Sequence, residues 1–244
     1  MNNWKQTILI ALMASPGCVA IALLALPLFA KSQSLPVPIE TLQFATMSQS
    51  FLLVILASVA GTRLGPMVGL GAPVLSAIAN RGDMLSASRP LWMPGVIGGL
   101  IGAVVIVGFH AYSPSELAAT QGKMAIPLSV RVLYGGITEE VLVRWGLMTL
   151  LVWVGWRIFQ QASEKPHSSV VWMAICLSAL LFGVSHVPAT AAILGTVPAM
   201  TFAYVVIVNA IFGVVAGCLY WRYGLEAAII AHILAHLLAY LVRG

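Results

Sequence analysis

Leu91-Trp92-Met93-Pro94-Gly95-Val96-Ile97-Gly98-Gly99-Leu100-Ile101-Gly102-Ala103-Val104-Val105-Ile106-Val107-Gly108-Phe109 runs for 19 residues without a charge. As a helix rising ~1.5 Å per residue it is about 28 Å long, close to the ~30 Å hydrocarbon core of a bilayer. Gly95–Gly99 and Gly98–Gly102 form two overlapping G-x-x-x-G spacings. Such spacings let helix backbones approach closely where lipid gives helices no hydrophobic reason to associate. Comparable apolar runs recur at Gln6–Ala30, Phe44–Thr62, Met124–Phe159, Val170–Val187, Pro198–Tyr220 and Leu225–Leu241. The expected fold is all-α, a polytopic membrane bundle of about seven transmembrane helices. No strand pattern competes with it.

Composition agrees. The 244 residues are 60% hydrophobic and 8% charged, with a mean hydropathy of +0.99. A soluble domain carries roughly 25% charged residues, so a soluble enzyme, a nucleic-acid-binding domain and a disordered chain are excluded. The net charge of +5 comes from basic residues scattered singly, which reads as membrane orientation rather than a nucleic-acid partner. Cys18, Cys176 and Cys218 all fall in apolar runs and form no C-x-x-C. They are expected to be small core residues without a disulfide or zinc role.

The Gln6–Ala30 run is too long for the apolar region of a signal peptide and reads as a retained span bent by Pro16 and Pro27. Gly65–Ala79 is too short to cross and is expected to lie in the interface or to re-enter. Met124–Phe159 exceeds one membrane thickness. It is either one long tilted helix or two helices broken near Gly135-Gly136. Pro188 and Pro198 are expected to bracket the connection before the sixth span. If the N-terminus is inside and each run crosses once, Lys5, Arg63, Arg81, Arg89, Arg157, Lys165 and Arg222 are inside. Lys31, Lys123 and Arg243 are then outside, and this asymmetry favours that orientation. The setting expected for such a chain is a bacterial cytoplasmic membrane.

Ionisable residues inside apolar runs are costly and mark function by default. They fall in three places. In Glu139-Glu140-Val141-Leu142-Val143-Arg144, Glu140 and Arg144 are four apart, the favoured acid-before-base order on a helix. On an α-helix Glu139 lies about 140° from that face. One carboxylate can therefore be structural while the other is free to act as a general base. Phe182-Gly183-Val184-Ser185-His186 brings a histidine to a helix end. His232-Ile233-Leu234-Ala235-His236 sets two histidines on one face, able either to ligate a metal or to donate hydrogen bonds to an oxyanion. The bland readings are bracing of the bundle, an interfacial ring and helix–helix hydrogen bonding. All three together supply what amide hydrolysis needs, and a polar cavity among these helices is expected. Asn209, inside the sixth run, is a further candidate for contacting substrate or a neighbouring helix. His110 and His167 read as interfacial. Glu226 opens the last helix, where its carboxylate suits the helix dipole.

The three segments resemble the motifs of the CAAX protease and bacteriocin-processing (CPBP, Abi) family of intramembrane proteases. That pattern is E-E-x-x-x-R, then F-x-x-x-H, then H-x-x-x-N or a variant. Here it reads Glu139-Glu140 to Arg144, Phe182 to His186, and His232 to His236, in the same order. Gly224-Leu225-Glu226-Ala227-Ala228 also resembles bacterial members. The likeness covers roughly Leu128–Tyr240. It implies one transmembrane domain, 1–244, with variable N-terminal helices over 1–123 and a catalytic core over 124–244.

The resemblance implies that Glu139 activates water with His186, that Glu140 and Arg144 support, and that His232 stabilises the oxyanion or binds metal. Phe182, and more weakly Asn209, would contact substrate. His236 stands where Asn is common, and imidazole can donate like an amide or ligate metal. The cofactor is therefore either none or zinc, with Glu139, His186, His232 and His236 as the ligand set. The expected partner is a membrane-associated protein or peptide. The competing readings are a transporter or proton relay and a bacteriocin-immunity scaffold. No internal repeat supports the first, and the intact motifs argue against the second. The serine G-x-S-x-G, H-E-x-x-H and G-x-G-D motifs are missing.

Overall fold

Helices are the only way this backbone can satisfy its polar groups within lipid without closing a barrel. The computed structural model describes residues 3–30, 37–120, 126–160 and 163–243, and among them no strand occurs. Seven helices are long and apolar enough to cross a membrane. They are the first span Asn3–Ala30, second Ile39–Val68, third Met84–Ala111, fourth Leu128–Phe159, fifth Ser168–Leu194, sixth Ala199–Tyr223 and seventh Leu225–Val242. Leu52, Ile55, Leu56, Trp92, Met93 and Val104 face outward, as lipid-facing side chains do. Ile10, Val54, Trp145, Met148, Val152, Tyr220 and Leu225 form the buried centre.

The third and seventh spans meet along the glycine stripe. A Cβ on Gly99 would stand 2.6 Å from Leu234 Cβ, and one on Gly102 2.7 Å from Ala235 Cβ. Gly213 likewise admits Ala179, joining the sixth span to the fifth. These contacts set the seventh span, with its two histidines, deep in the bundle.

The structure decides one open expectation and corrects two others. First, of the two alternatives, the long fourth run is one helix, unbroken at Gly135-Gly136. It widens instead into π-helix over Arg131–Glu139 and Val141–Met148. There the bonding reaches five residues back, and two hydroxyls reinforce it: Thr138 Oγ1 donates to Leu133 O (3.1 Å) and Thr149 Oγ1 to Arg144 O (3.3 Å). The α-helical angle between Glu139 and Arg144 therefore does not describe this segment. Second, Pro188 does not end the fifth span. The chain turns at His186 and resumes as Val187–Leu194, with Pro188 in the first turn, where its missing N–H costs nothing. Third, Cys176 is exposed while Cys18 is buried; an apolar sequence run does not distinguish a lipid-facing side from a core-facing one.

The apolar segment after the second span is partly helical continuation, since that span runs through Gly65 and Pro66 to Val68. A short helix, Pro73–Asn80, follows. Its N-terminus is clasped by the turn into the seventh span. Leu225 N–H donates to Gly71 O (3.0 Å), and Leu75 N–H donates to Glu226 Oε1 (2.9 Å). Gly224 has φ +99°, and a Cβ there would meet Gly71 O at 3.0 Å. Glu226 thus serves the N-terminus of a helix 151 residues earlier in the chain, beyond the dipole role expected in its own helix.

Asp83 caps the third span by accepting from Leu85 N–H and Ser86 N–H, with Ser86 Oγ donating to its second oxygen. The Ser86 hydroxyl, with the Ser86 and Leu85 N–H groups, holds the Asp83 carboxyl below its ordinary range. A carboxylate with a lowered folded value stabilises above its unfolded pKa and loses that contribution as pH falls through the lowered value.

With the fourth run a single crossing, Lys5, Arg63, Arg81, Arg89, Arg157, Lys165 and Arg222 fall at one end of the bundle. Of the cations expected at the other end, Lys31 and Lys123 lie outside the described residues, as does the Arg243 side chain.

Candidate active site

Glu140 and Arg144 are both fully buried in the middle of the fourth span. Their side chains approach to 3.3 Å between Arg144 Nε and Glu140 Oε2, though the angle does not make a hydrogen bond. The other carboxylate oxygen, Oε1, lies 2.8 Å from His232 Nδ1 of the seventh span. Glu140 therefore faces a guanidinium on one side and an imidazole on the other. Arg144 extends further, donating from Nη2 to Gly213 O of the sixth span (3.1 Å) and lying 4.8 Å from the centroid of the Phe182 ring. Desolvating two charges costs several kcal/mol each, so the ion pair persists only because its polar neighbours share the charge.

The rings continue the chain of contact. Phe182 packs edge-on to His186 at 4.7 Å, and Phe212 edge-on to His232 at 4.6 Å. His232 and His236 stack at 5.0 Å with an interplanar angle of 22°, as their four-residue spacing allows. His236 also lies within electrostatic reach of His186 and Arg131.

His186 sits where the fifth span breaks. Its N–H bonds Gly183 O (3.2 Å), and the Phe182 carbonyl accepts instead from Ser185 Oγ (2.7 Å) and from His186 Nδ1 (2.8 Å). A carbonyl only accepts, so Nδ1 carries the proton. In the neutral ring Nε2 is then a lone-pair base. His232 is held in the same tautomer, its Nδ1–H donating to the Glu140 carboxylate at 2.8 Å. It can offer an Nε2–H donor only when doubly protonated, and Glu140 is the counter-charge that form needs.

Glu139 is half-buried, with no hydrogen bond or ion pair among the described residues. Its surroundings are set by Gly135, one turn earlier. The point where a Gly135 Cβ would stand is 2.9 Å from His236 Nε2 and 3.9 Å from Glu139 Oε2. Imidazole and carboxylate flank the same gap above a residue with no side chain. Gly136 beside it admits the seventh-span backbone, its Cβ position lying 3.3 Å from Ile233 Cα.

The structure thus gathers Glu140, Arg144, Phe182, His186, His232 and His236 into one contiguous cluster, with Glu139 at its edge. Asn209 stands apart: its Nδ2 donates to Val205 O of its own helix (2.8 Å). Among the described residues no group of three or more His, Cys, Asp or Glu side chains is arranged to hold a metal ion. Two surface cavities lie toward the end that carries Lys5 and Arg81.

Sequence reasoning missed Phe212, Gly135 and the Gly213 carbonyl. Gly135 and Gly213 stood out only as small residues, and nothing in a sequence marks a backbone acceptor or an apolar ring beside a histidine.

A family model described as type II CAAX prenyl endopeptidase, Rce1-like, matches residues 121–238. Every residue of the cluster lies within that segment. No curated protein and no solved structure matches the chain.

Proposed function

We propose, for a chain whose residues 121–238 belong to the Rce1-like family of type II CAAX prenyl endopeptidases, that it hydrolyses a peptide bond of a membrane-associated substrate within the bilayer. The observation that supports this reading is the contact of Glu140 with His232, the stacking of His232 on His236 and the Phe182 ring that links His186 to them, with Glu139 flanking the Gly135 gap beside His236. Water is held between the Glu139 carboxylate and His186 Nε2. Glu139 takes a proton as the water oxygen bonds to the carbonyl carbon. The tetrahedral oxyanion accepts hydrogen bonds from His232 Nε2–H and from His236. As the C–N bond breaks, Glu139 returns the proton to the departing amine. A positioned general base contributes roughly 10²–10⁴-fold, and one oxyanion donor roughly 10²–10³-fold.

Glu140 acts through His232, as its counter-charge and anchor, and Arg144 holds Glu140. They are positioning residues. Side chains alone suffice for these steps, and none is routed through a metal. The setting for this reaction is a bacterial cytoplasmic membrane.

The test uses purified, detergent-solubilised protein and a prenylated peptide with a C-terminal C-a-a-X sequence, the substrate class named by the family description. Wild-type protein is expected to cleave it, and His186→Ala to slow cleavage by roughly 10²–10⁴-fold. An intact peptide after long incubation with folded wild-type protein, or a His186→Ala variant as fast as wild type, would overturn the proposal.

A further inference from the structure

At the end of the bundle away from the histidine at the fifth-span break, a groove of about 270 Å³ opens between the start of the first span and the short helix Pro73–Asn80. Its walls are apolar, with Ile8 and Leu9 on one side and Ile78 on the other. Its rim is cationic, with Lys5 from the first span and Arg81 just past the short helix. Trp4 closes it, with Lys5 Nζ 5.8 Å from the ring centroid.

The two cations have no acidic partner among the described residues: the only ion pairs there are those of Glu140. The nearest carboxylate in sequence to Arg81 is Asp83, whose two oxygens are spent on the Leu85 and Ser86 cap. Arg81 is also held in place. It is the one non-glycine residue with positive φ among the described residues, at +57°, and its N–H bonds back to Ile78 O at 3.3 Å. As the left-handed C-cap of the short helix, Arg81 has its Cα fixed at the mouth of the groove, which its side chain lines.

The surrounding end of the bundle is positive as well. Arg63, Arg89, Arg157, Lys165 and Arg222 share it with Lys5 and Arg81. Of the acids there, Asp83 and Glu226 are engaged with helix N-termini, leaving Glu164. Basic clefts between helices at headgroup level are the form that anionic-lipid sites take in membrane proteins.

We propose that this groove binds one anionic phospholipid of the surrounding bilayer, with its phosphate between Lys5 and Arg81 and an acyl chain along Ile8, Leu9 and Ile78. The lipid joins the first span to the short helix, which Glu226 clasps to the seventh span. The proposal does not rest on the protease reading.

The test is native mass spectrometry of the full chain, delipidated in detergent and titrated with phosphatidylglycerol or phosphatidylcholine. Wild-type protein is expected to keep one phosphatidylglycerol adduct and to take phosphatidylcholine far more weakly. Lys5→Ala/Arg81→Ala is expected to weaken phosphatidylglycerol roughly 30-fold, the effect of two basic groups near a headgroup. Arg63→Ala/Arg89→Ala removes the same charge outside the groove and is expected to retain the adduct. An unfolded double variant is recognised by its melting curve, and Lys5→Gln/Arg81→Gln then replaces it. Equal retention of both lipids, undiminished retention by the groove variants, or an equal loss in Arg63→Ala/Arg89→Ala would overturn the proposal.

Discussion

Arg144→Ala is expected to destabilise the bundle by about 3–5 kcal/mol, the scale of a buried ion pair broken from one side. Arg144 is fully buried, and its guanidinium faces Glu140, the Gly213 carbonyl and the Phe182 ring. Removing it leaves the Glu140 carboxylate with His232 alone and leaves a void between the fourth, fifth and sixth spans. Arg144→Ala/Glu140→Gln should recover part of the loss, because the uncompensated charge is gone. Thermal unfolding in detergent reads both. A melting temperature for Arg144→Ala equal to wild type would mean that the pair carries no weight in the fold. A double variant less stable than Arg144→Ala would assign the loss to the void rather than the charge.

Glu139→Gln is expected to slow peptide cleavage by roughly 10²–10⁴-fold while leaving stability nearly unchanged. The amide keeps the shape of the carboxylate but cannot take a proton from water. Stability should hold because Glu139, unlike Glu140, makes no hydrogen bond or ion pair among the described residues. The contrast between adjacent glutamates is the informative part. Glu140→Gln should disturb both the fold and the rate, since Glu140 bonds His232 and faces Arg144. If Glu139→Gln melted well below wild type yet cleaved normally, the roles of the two carboxylates would be reversed.

The bundle was legible because lipid imposes a simple rule: runs long enough to cross, with charges only where something pays for them. The Glu140–Arg144 pair followed from its four-residue spacing, and the His232–His236 stack from the same arithmetic. What was hidden depends on three dimensions. That Glu140 also meets His232, 92 residues away, could not be read from either segment. The π-helical course of the fourth span was equally hidden, because it depends on how Gly135, Thr138 and Thr149 meet their surroundings. Asn209 was conspicuous as an amide in an apolar run, but which carbonyl it would meet was not legible: its Nδ2 donates to Val205 O one turn back in its own helix. The Glu226 clasp was half legible: its place in the first turn was clear, but the helix it reaches lies far earlier in the chain.

The central claim is that Glu139 of the fourth span and His186 of the fifth act on one water. The most direct measurement is a double-mutant cycle on the cleavage rate with Glu139→Gln and His186→Ala, since groups that work as a unit are strongly non-additive. The double variant is predicted to be no slower than the slower single variant. A double variant slowed by the product of the two single effects would show the side chains acting independently, and the shared site would be contradicted.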